Sequence, residues 1–188
     1  KRYPVVYFLH GFVQTADSME KFGKFATTWE QAQKPGSEMI LIIPDSMTKH
    51  GGSMYSSSPT TGDFEAFISR DLVADVDSHY RTIAQRASRG LAGHSMGGYG
   101  TWKIGMKHAA TWGGIYAMSA CCVSARTETV ESAQKLASVP FDQTRKADFG
   151  TRAGLASAVA WSPAPDKPPY YADFPVKNGA LDSAVLAQ

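Results

Sequence analysis

Short apolar runs alternate with amphipathic stretches along the first two thirds of the chain. Residues 3–9 are a nearly continuous apolar run, which is typical of a strand buried on both faces of a parallel sheet. Residues 39–43 predict a second buried strand, and residues 114–118 predict another strand. Between them, apolar residues recur every three or four positions in 17–32 and in 64–83, which predicts helices with one buried face. This alternation predicts an α/β fold in which a mostly parallel sheet is flanked by helices.

The pattern changes after Met118. Six prolines and six scattered aromatic residues lie within residues 120–188, and no further run there has the length and composition of a buried strand. Long segments of this kind often cover a functional site. We therefore expect a core over 1–119 and a lid or insertion segment over 120–188, with a loosely helical flank as the alternative.

The composition of the chain narrows the classes of function. Its 188 residues, 43% of them hydrophobic, suffice for a single core, and 19 Lys and Arg residues nearly balance 17 Asp and Glu. No basic run indicates a nucleic-acid partner, and no apolar run has the length of a membrane span. The adjacent Cys121 and Cys122 lack the spacing of a metal site, so we expect buried thiols. Nothing indicates a metal, nucleotide or flavin, and a small-molecule substrate without a cofactor fits best.

The chemistry is concentrated in Gly93-His94-Ser95-Met96-Gly97. An apolar approach precedes this stretch, and the residues after it can begin a helix that runs to about His108. The Gly-x-Ser-x-Gly spacing is the known pattern of a sharp strand-to-helix turn that exposes a serine nucleophile. A glycine-rich loop with a solvated serine is the alternative reading.

A serine nucleophile of this kind needs donors for the negative charge that develops on the substrate oxygen. We expect the N–H of Met96, the residue after Ser95, to be one donor, since the first N–H groups of a helix lack intrahelical partners. The second donor is expected in the loop after the first strand, and Phe12 is the candidate, with a core or rim aromatic as the alternative. Tyr55, in the long polar loop 49–62, is predicted to line a substrate pocket, or else to lie on the surface.

The base that would activate Ser95 is harder to place. In proteins with this turn the chain order is serine, then acid, then histidine. The sequence contains five histidines, and His108 is the last of them. For His10 and His94 a structural role is expected, and for His108 a role at a helix C-terminus. We therefore expect the acid and the base to lie outside these residues, in a chain of which this sequence is a part.

Several stretches together resemble a known family. Residues 3–12, 53–56, 61–65, 80–82 and 93–100 are similar, in this order, to the serine esterase family of the α/β-hydrolase superfamily. That family contains esterase D (S-formylglutathione hydrolase), feruloyl and acetyl-xylan esterases and the mycolyltransferases. The resemblance covers residues 1 to about 122. Residues 123–188 match no motif of the family.

The resemblance implies a carboxylic-ester hydrolase with an α/β-hydrolase fold. Ser95 would be the nucleophile, Phe12 and Met96 the oxyanion donors, and no metal would take part. A small-molecule ester is the implied substrate. An acyltransferase differs only in the acceptor of the acyl group, and a catalytically inactive binding module is the alternative from another class.

Overall fold

Helices and strands alternate along the described residues, which are 1–123 and 128–187 of the computed structural model. In chain order the elements are β1 (Val5–Leu9), α1 (Ala16–Gly23), α2 (Phe25–Ala32), β2 (Ile40–Ile42), β3 (Ser57–Ser58), β4 (Gly62–Asp63), α3 (Phe64–Ala66), α4 (Leu72–His79), β5 (Arg89–His94), α5 (Met96–Lys107), β6 (Gly114–Met118), α6 (Val130–Ser138), α7 (Phe149–Trp161), β7 (Val176–Lys177), β8 (Ala180–Leu181) and α8 (Ser183–Leu186). A π-helical segment, Phe67–Asp71, joins α3 to α4, and short 3₁₀ helices span Arg86–Ser88 and Phe141–Lys146.

Four strands form the central sheet in the order β2-β1-β5-β6, and every neighbouring pair is parallel. Leu9 is in register with Gly93, and Gly93 with Ala117, so β1, β5 and β6 end at the same edge. This arrangement confirms the predicted α/β architecture. It also brings the turns after these strands together, where ligands bind in open α/β sheets.

The main core lies around the central strands. Tyr7, Leu9, Leu91, Ile68 and Ile104 are almost completely buried, and they come from two strands and from the helical segments that pack on them. Each such side chain stabilises the fold by roughly 1.5–3 kcal/mol relative to remaining exposed. The core therefore holds β1 and β5, the two strands that precede the candidate turns, in a fixed relation.

The single helix expected over 17–32 is two helices. Lys24 adopts a left-handed backbone conformation with φ of 48°, which ends α1 and begins α2 at a new angle. The Glu20 carboxylate spans the break, because it accepts hydrogen bonds from the N–H of Ala26 at 2.8 Å and the hydroxyl of Thr27 at 2.6 Å. The helix expected over 64–83 ends earlier too, at His79.

The strands at the two edges are partly exposed. β2, expected to be buried, is only half-buried, and on β6 the side chains of Ile115 and Tyr116 are 45% and 67% exposed. On α5, Trp102 and Met106 are also exposed. The strand predicted at 114–118 is β6, and on it the side chains of Ile115 and Tyr116 stay exposed to solvent.

The segment predicted as a lid is mostly helical. α7 contributes Ala156 and Ala160 to the main core, whereas Leu136, Leu155 and Tyr170 form a second, smaller cluster. As expected, no long buried strand occurs in the described part of this segment, where β7 and β8 form only a short antiparallel pair. Every helix that the structure describes is too short or too polar to cross a bilayer.

Candidate active site

Ser95 lies at the turn from β5 into α5 with a strained backbone. Its φ of 56° and ψ of −115° fall outside the regions that residues with a side chain normally adopt. Three hydrogen bonds hold this conformation: the Ser95 N–H donates to the carbonyl of Met118 at 3.0 Å, and the Ser95 carbonyl accepts from the N–H of Tyr99 at 3.0 Å and of Cys121 at 3.1 Å. The turn is thus anchored by its own helix and by the chain that leaves β6.

The two glycines of the motif are required by close packing. A Cβ atom on Gly97 would lie 1.8 Å from the carbonyl oxygen of Leu9, at the end of β1. A Cβ atom on Gly93 would lie 2.3 Å from the carbonyl oxygen of Gly97 itself. Both contacts are to backbone atoms, which cannot rotate away. The spacing of the motif therefore brings the turn that carries Ser95 against the turn that follows β1.

Two backbone N–H groups beside Ser95 are without an intrahelical or turn acceptor. Met96 is the first residue of α5, and the first N–H groups of a helix have no carbonyl to bind within it. Phe12 lies in the turn after β1, and among the described residues its N–H has no acceptor. These groups are the expected oxyanion donors, and that role remains a prediction.

His10 is fully buried beneath the turn after β1, and both of its ring nitrogens are occupied. Nε2 accepts a hydrogen bond from the N–H of Ser46 at 3.0 Å, and Nδ1 lies 2.9 Å from the carbonyl oxygen of Gly11. This pattern fits a neutral imidazole whose proton is on Nδ1. As expected from the sequence, His10 has a structural role, since it connects the end of β1 to the loop after β2.

The ring nitrogens of the other histidines make no hydrogen bond with the candidate nucleophile within the described residues either. His94 ends β5 with an exposed side chain, His79 is exposed at the end of α4, and His108 follows the last residue of α5. His50 lies in the loop after β2. None of these side chains makes a hydrogen bond with Ser95 in the part of the chain that the structure describes.

Tyr55 is placed differently from the prediction. Its side chain is completely buried, its hydroxyl donates a hydrogen bond to the carbonyl of His10 at 3.1 Å, and its ring fills the space beside Gly100 on α5. Burial raises the pKa of its phenol above the ordinary value. In this position Tyr55 supports the turn after β1 from below and has no surface to offer a substrate.

The segment after β6 reaches the candidate site through two contacts that the sequence did not indicate. Phe149, at the start of α7, packs edge-to-face on Phe12 with 5.5 Å between ring centroids, and its own ring is 64% exposed. Cys121 contacts the site through its backbone N–H. Buried thiols were expected, and Cys121 and Cys122 are half-buried residues. Because these contacts join segments distant along the chain, no local pattern could have shown them.

No metal site is apparent at the turn. Within residues 1–123 and 128–187, no group of three or more His, Cys, Asp or Glu side chains is arranged to hold a metal ion. The two turns bring together the Ser95 hydroxyl and the backbone N–H groups of Met96 and Phe12. Such a set can stabilise negative charge on an oxygen next to the half-buried Ser95.

A strained serine between strand and helix, on a parallel sheet flanked by helices, defines the α/β-hydrolase class. Within this class the family can be identified, because residues 1–181 match the model of the family described as "Putative esterase". The chain belongs to this family.

The curated relatives that match this chain are named as esterases, and they are much longer than this chain. Esterase Rv1288 of Mycobacterium tuberculosis is 27% identical over 113 residues, which are 57% of this chain and 23% of that protein. An endo-1,4-beta-xylanase/feruloyl esterase of Xylanibacter ruminicola is 26% identical over 115 residues, 60% of this chain and 16% of that protein. The solved structure of a ferulic acid esterase matches with a TM-score of 0.58 and 27% identity, covering 82% of this chain and 63% of its own.

Proposed function

We propose that this chain carries the nucleophile half of a serine carboxylic-ester hydrolase. The observation that supports this most directly is the strained turn of Ser95 near the N–H groups of Met96 and Phe12, which have no acceptor among the described residues. The family to which the chain belongs agrees with an ester as the substrate. The similarity to a ferulic acid esterase supports esters of an aromatic acid as the first substrates to test.

In the proposed reaction, Ser95 Oγ attacks the carbonyl carbon of the ester while a base accepts its proton. The carbonyl oxygen becomes negatively charged in the tetrahedral intermediate and accepts hydrogen bonds from the N–H groups of Met96 and Phe12. Loss of the alcohol leaves an acyl group on Ser95, which water then removes. Each oxyanion donor is typically worth about 3 kcal/mol, or a factor of about 100 to 1,000 in rate.

The general base is the part of this mechanism that the described residues do not bring to Ser95. His10 is committed to Ser46 and Gly11, and among the described residues no other histidine side chain makes a hydrogen bond with the serine. We propose that the base and its carboxylate come from polypeptide other than these residues. Imidazole added to the solution should then accelerate acylation of Ser95, because it can accept the proton in place of a side chain.

A fluorophosphonate probe tests the nucleophile directly. It reacts with an activated serine to form an Oγ–P bond with release of fluoride and a proton, and intact mass spectrometry counts the adducts. We expect one adduct per chain, absent in Ser95→Ala and retained in Ser119→Ala. Ser119 is the matched control because its side chain is exposed just after β6, close to the turn but not on it.

The outcomes separate the candidate functions. An adduct on Ser95 together with hydrolysis of an ester supports the hydrolase, and transfer of the acyl group to an added alcohol at the expense of water supports an acyltransferase. No adduct at any probe concentration, with or without imidazole, contradicts both and leaves a binding module with a hydrolase fold. Within residues 1–123 and 128–187 no histidine side chain makes a hydrogen bond with Ser95, and this observation favours the last candidate.

A further inference from the structure

A narrow basic cleft lies between the loop after β2 and the start of α7. We use "basic cleft" for the narrow depression lined by Lys49, His50, Thr144, Arg145, Arg152 and Leu155. Leu155 and Thr144 form its buried floor, and the cationic side chains surround it. Three positive charges thus converge on one cleft in a chain whose overall net charge is only +2.

The cations of the basic cleft lack acidic partners. Among residues 1–123 and 128–187, Lys49, Arg145 and Arg152 have no carboxylate oxygen within 4.0 Å. Lys49 instead lies over the ring of Phe141, with Nζ 3.7 Å from the centroid. Clustered like charges repel one another, so an anion between them would be bound favourably.

Other lysines of the same segment are paired. The ammonium of Lys135 lies 2.8 Å from a carboxylate oxygen of Asp148, and Lys167 pairs with Asp173. These carboxylates are therefore occupied and do not neutralise the basic cleft.

His50 supplies an unused hydrogen-bonding atom at the same place. Its Nδ1 is shielded from solvent and has no partner among the described residues, while its ring packs against Phe141 and Tyr170. Burial, followed by the neighbouring Lys49 ammonium, lowers the pKa of His50 below its ordinary value. A buried polar atom without a partner costs about 1–3 kcal/mol, which a bound oxygen ligand would recover.

The basic cleft adjoins the candidate active site. Gly51, next to His50, accepts a hydrogen bond from the N–H of Val13 at 2.8 Å, in the turn that carries Phe12. A Cβ atom on Gly51 would lie 3.1 Å from the Phe12 ring, so loop and turn are in direct contact. Phe149, one turn of α7 before Arg152, packs on the other side of Phe12.

We propose that the basic cleft binds a carboxylate or phosphate group, and that this group belongs to the ester substrate held next to the oxyanion turn. The substrate class would then be esters with an anionic end, recognised by the guanidinium groups of Arg145 and Arg152 and by His50. The part about the substrate rests on the proposed function. A free anion would satisfy the same chemistry, and two experiments distinguish the sources.

The first experiment measures anion binding and needs no catalysis. Sodium succinate and, separately, inorganic phosphate are titrated into the protein at constant ionic strength while NMR follows the ring protons of His50. We expect a saturable shift and a rise in the pKa of His50. Binding should weaken about tenfold in Arg152→Gln, as expected for the loss of one charge-assisted pair.

Lys146→Gln is the matched control for this titration, since Lys146 lies next to Arg145 on the same 3₁₀ helix but does not line the cleft. It removes the same charge from the same surface and should leave binding unchanged. Shifts that do not saturate, or that weaken equally in Arg152→Gln and Lys146→Gln, would show only general screening and overturn the proposal.

The second experiment compares two esters with one leaving group, 4-nitrophenyl acetate and 4-nitrophenyl hydrogen succinate. The rate of nitrophenol release in the first turnover, relative to the acetate, should be higher for the succinate and should fall about tenfold in Arg152→Gln. An unchanged ratio with intact anion binding overturns the substrate assignment and leaves a site for a free anion. Absence of nitrophenol release from both esters even with added imidazole, together with intact anion binding, contradicts the proposed function and not the anion site.

Discussion

The closest contact at the candidate site gives the sharpest prediction, which concerns Gly97→Ala. The new Cβ atom would lie 1.8 Å from the carbonyl oxygen of Leu9, 2.4 Å from its carbonyl carbon and 2.8 Å from the carbonyl oxygen of His10. All three are backbone atoms of β1 and the turn after it. The start of α5 and the end of β1 must therefore move apart by about 1 Å before the methyl group fits.

The expected magnitude follows from that displacement. Overpacking of a rigid core typically costs about 1–3 kcal/mol, and a contact with backbone belongs at the upper end of this range. The displacement also separates the N–H of Phe12 from Ser95 and Met96, and a misplacement of about 1 Å can reduce a reaction rate about 100-fold. We therefore expect a lower free energy of unfolding and a much larger loss of reaction at Ser95.

Two measurements on the same samples test this expectation. Urea unfolding followed by circular dichroism gives the free energy of unfolding, and intact mass spectrometry gives the rate of fluorophosphonate labelling. Gly114→Ala is the matched control, since Gly114 begins β6 and a Cβ atom there meets no atom within 4 Å. If Gly97→Ala folds as stably as Gly114→Ala and labels at the same rate, the close packing of the two turns does not support the site.

Three further predictions concern single side chains. Tyr55→Phe removes a buried hydroxyl that donates to a backbone carbonyl, and should lower the free energy of unfolding measured with urea by about 1 kcal/mol. A changed KM with an unchanged free energy of unfolding would restore Tyr55 as a substrate-binding residue. Asp77→Ala removes the partner of the largely buried Arg89, 2.7 Å away, and should lower the free energy of unfolding by about 3 kcal/mol. Asp71→Ala breaks the exposed pair with Arg70 and should lower it by less than about 1 kcal/mol. Equal losses in the two variants would contradict this account. Because the pKa of His50 is lowered in the folded protein, the unfolded chain binds more protons than the folded one below about pH 6.5. The free energy of unfolding should therefore fall as the pH drops from about 7 to about 5. The fall should be smaller in His50→Gln, and an equal fall in both proteins would contradict this prediction.

Local patterns were sufficient where one element decides the structure. The apolar run at 114–118 coincides with β6, and the helix expected after Ser95 is α5, which ends at Lys107. The Gly-x-Ser-x-Gly spacing predicted a sharp turn because few other residues can occupy the crowded positions, and Gly93 and Gly97 do meet backbone atoms there. The role of Ser95 as nucleophile remains a prediction that labelling will test.

Patterns failed where a distant segment decides the environment of a residue. Tyr55 was expected in a pocket or on the surface, and it is buried because the turn after β1 and the helix α5 close over it. Lys24 breaks a helix that the apolar spacing favours, since the Glu20 carboxylate stabilises the first N–H groups beyond the break. The sequence at 114–118 predicts a strand, and the tertiary structure leaves Ile115 and Tyr116 on that strand exposed.

The sequence by itself determined the periodicity of strands and helices, the parallel α/β class and the glycine spacing around Ser95, because these depend on neighbours within a few residues. Tertiary structure alone decided that the turn after β1 lies against the turn after β5, that His10 is committed to Ser46, and that α7 brings Arg152 towards Lys49. The physical reason is the same in each case. Burial, charge and hydrogen-bond partners are set by segments distant along the chain, and no short window of sequence contains them.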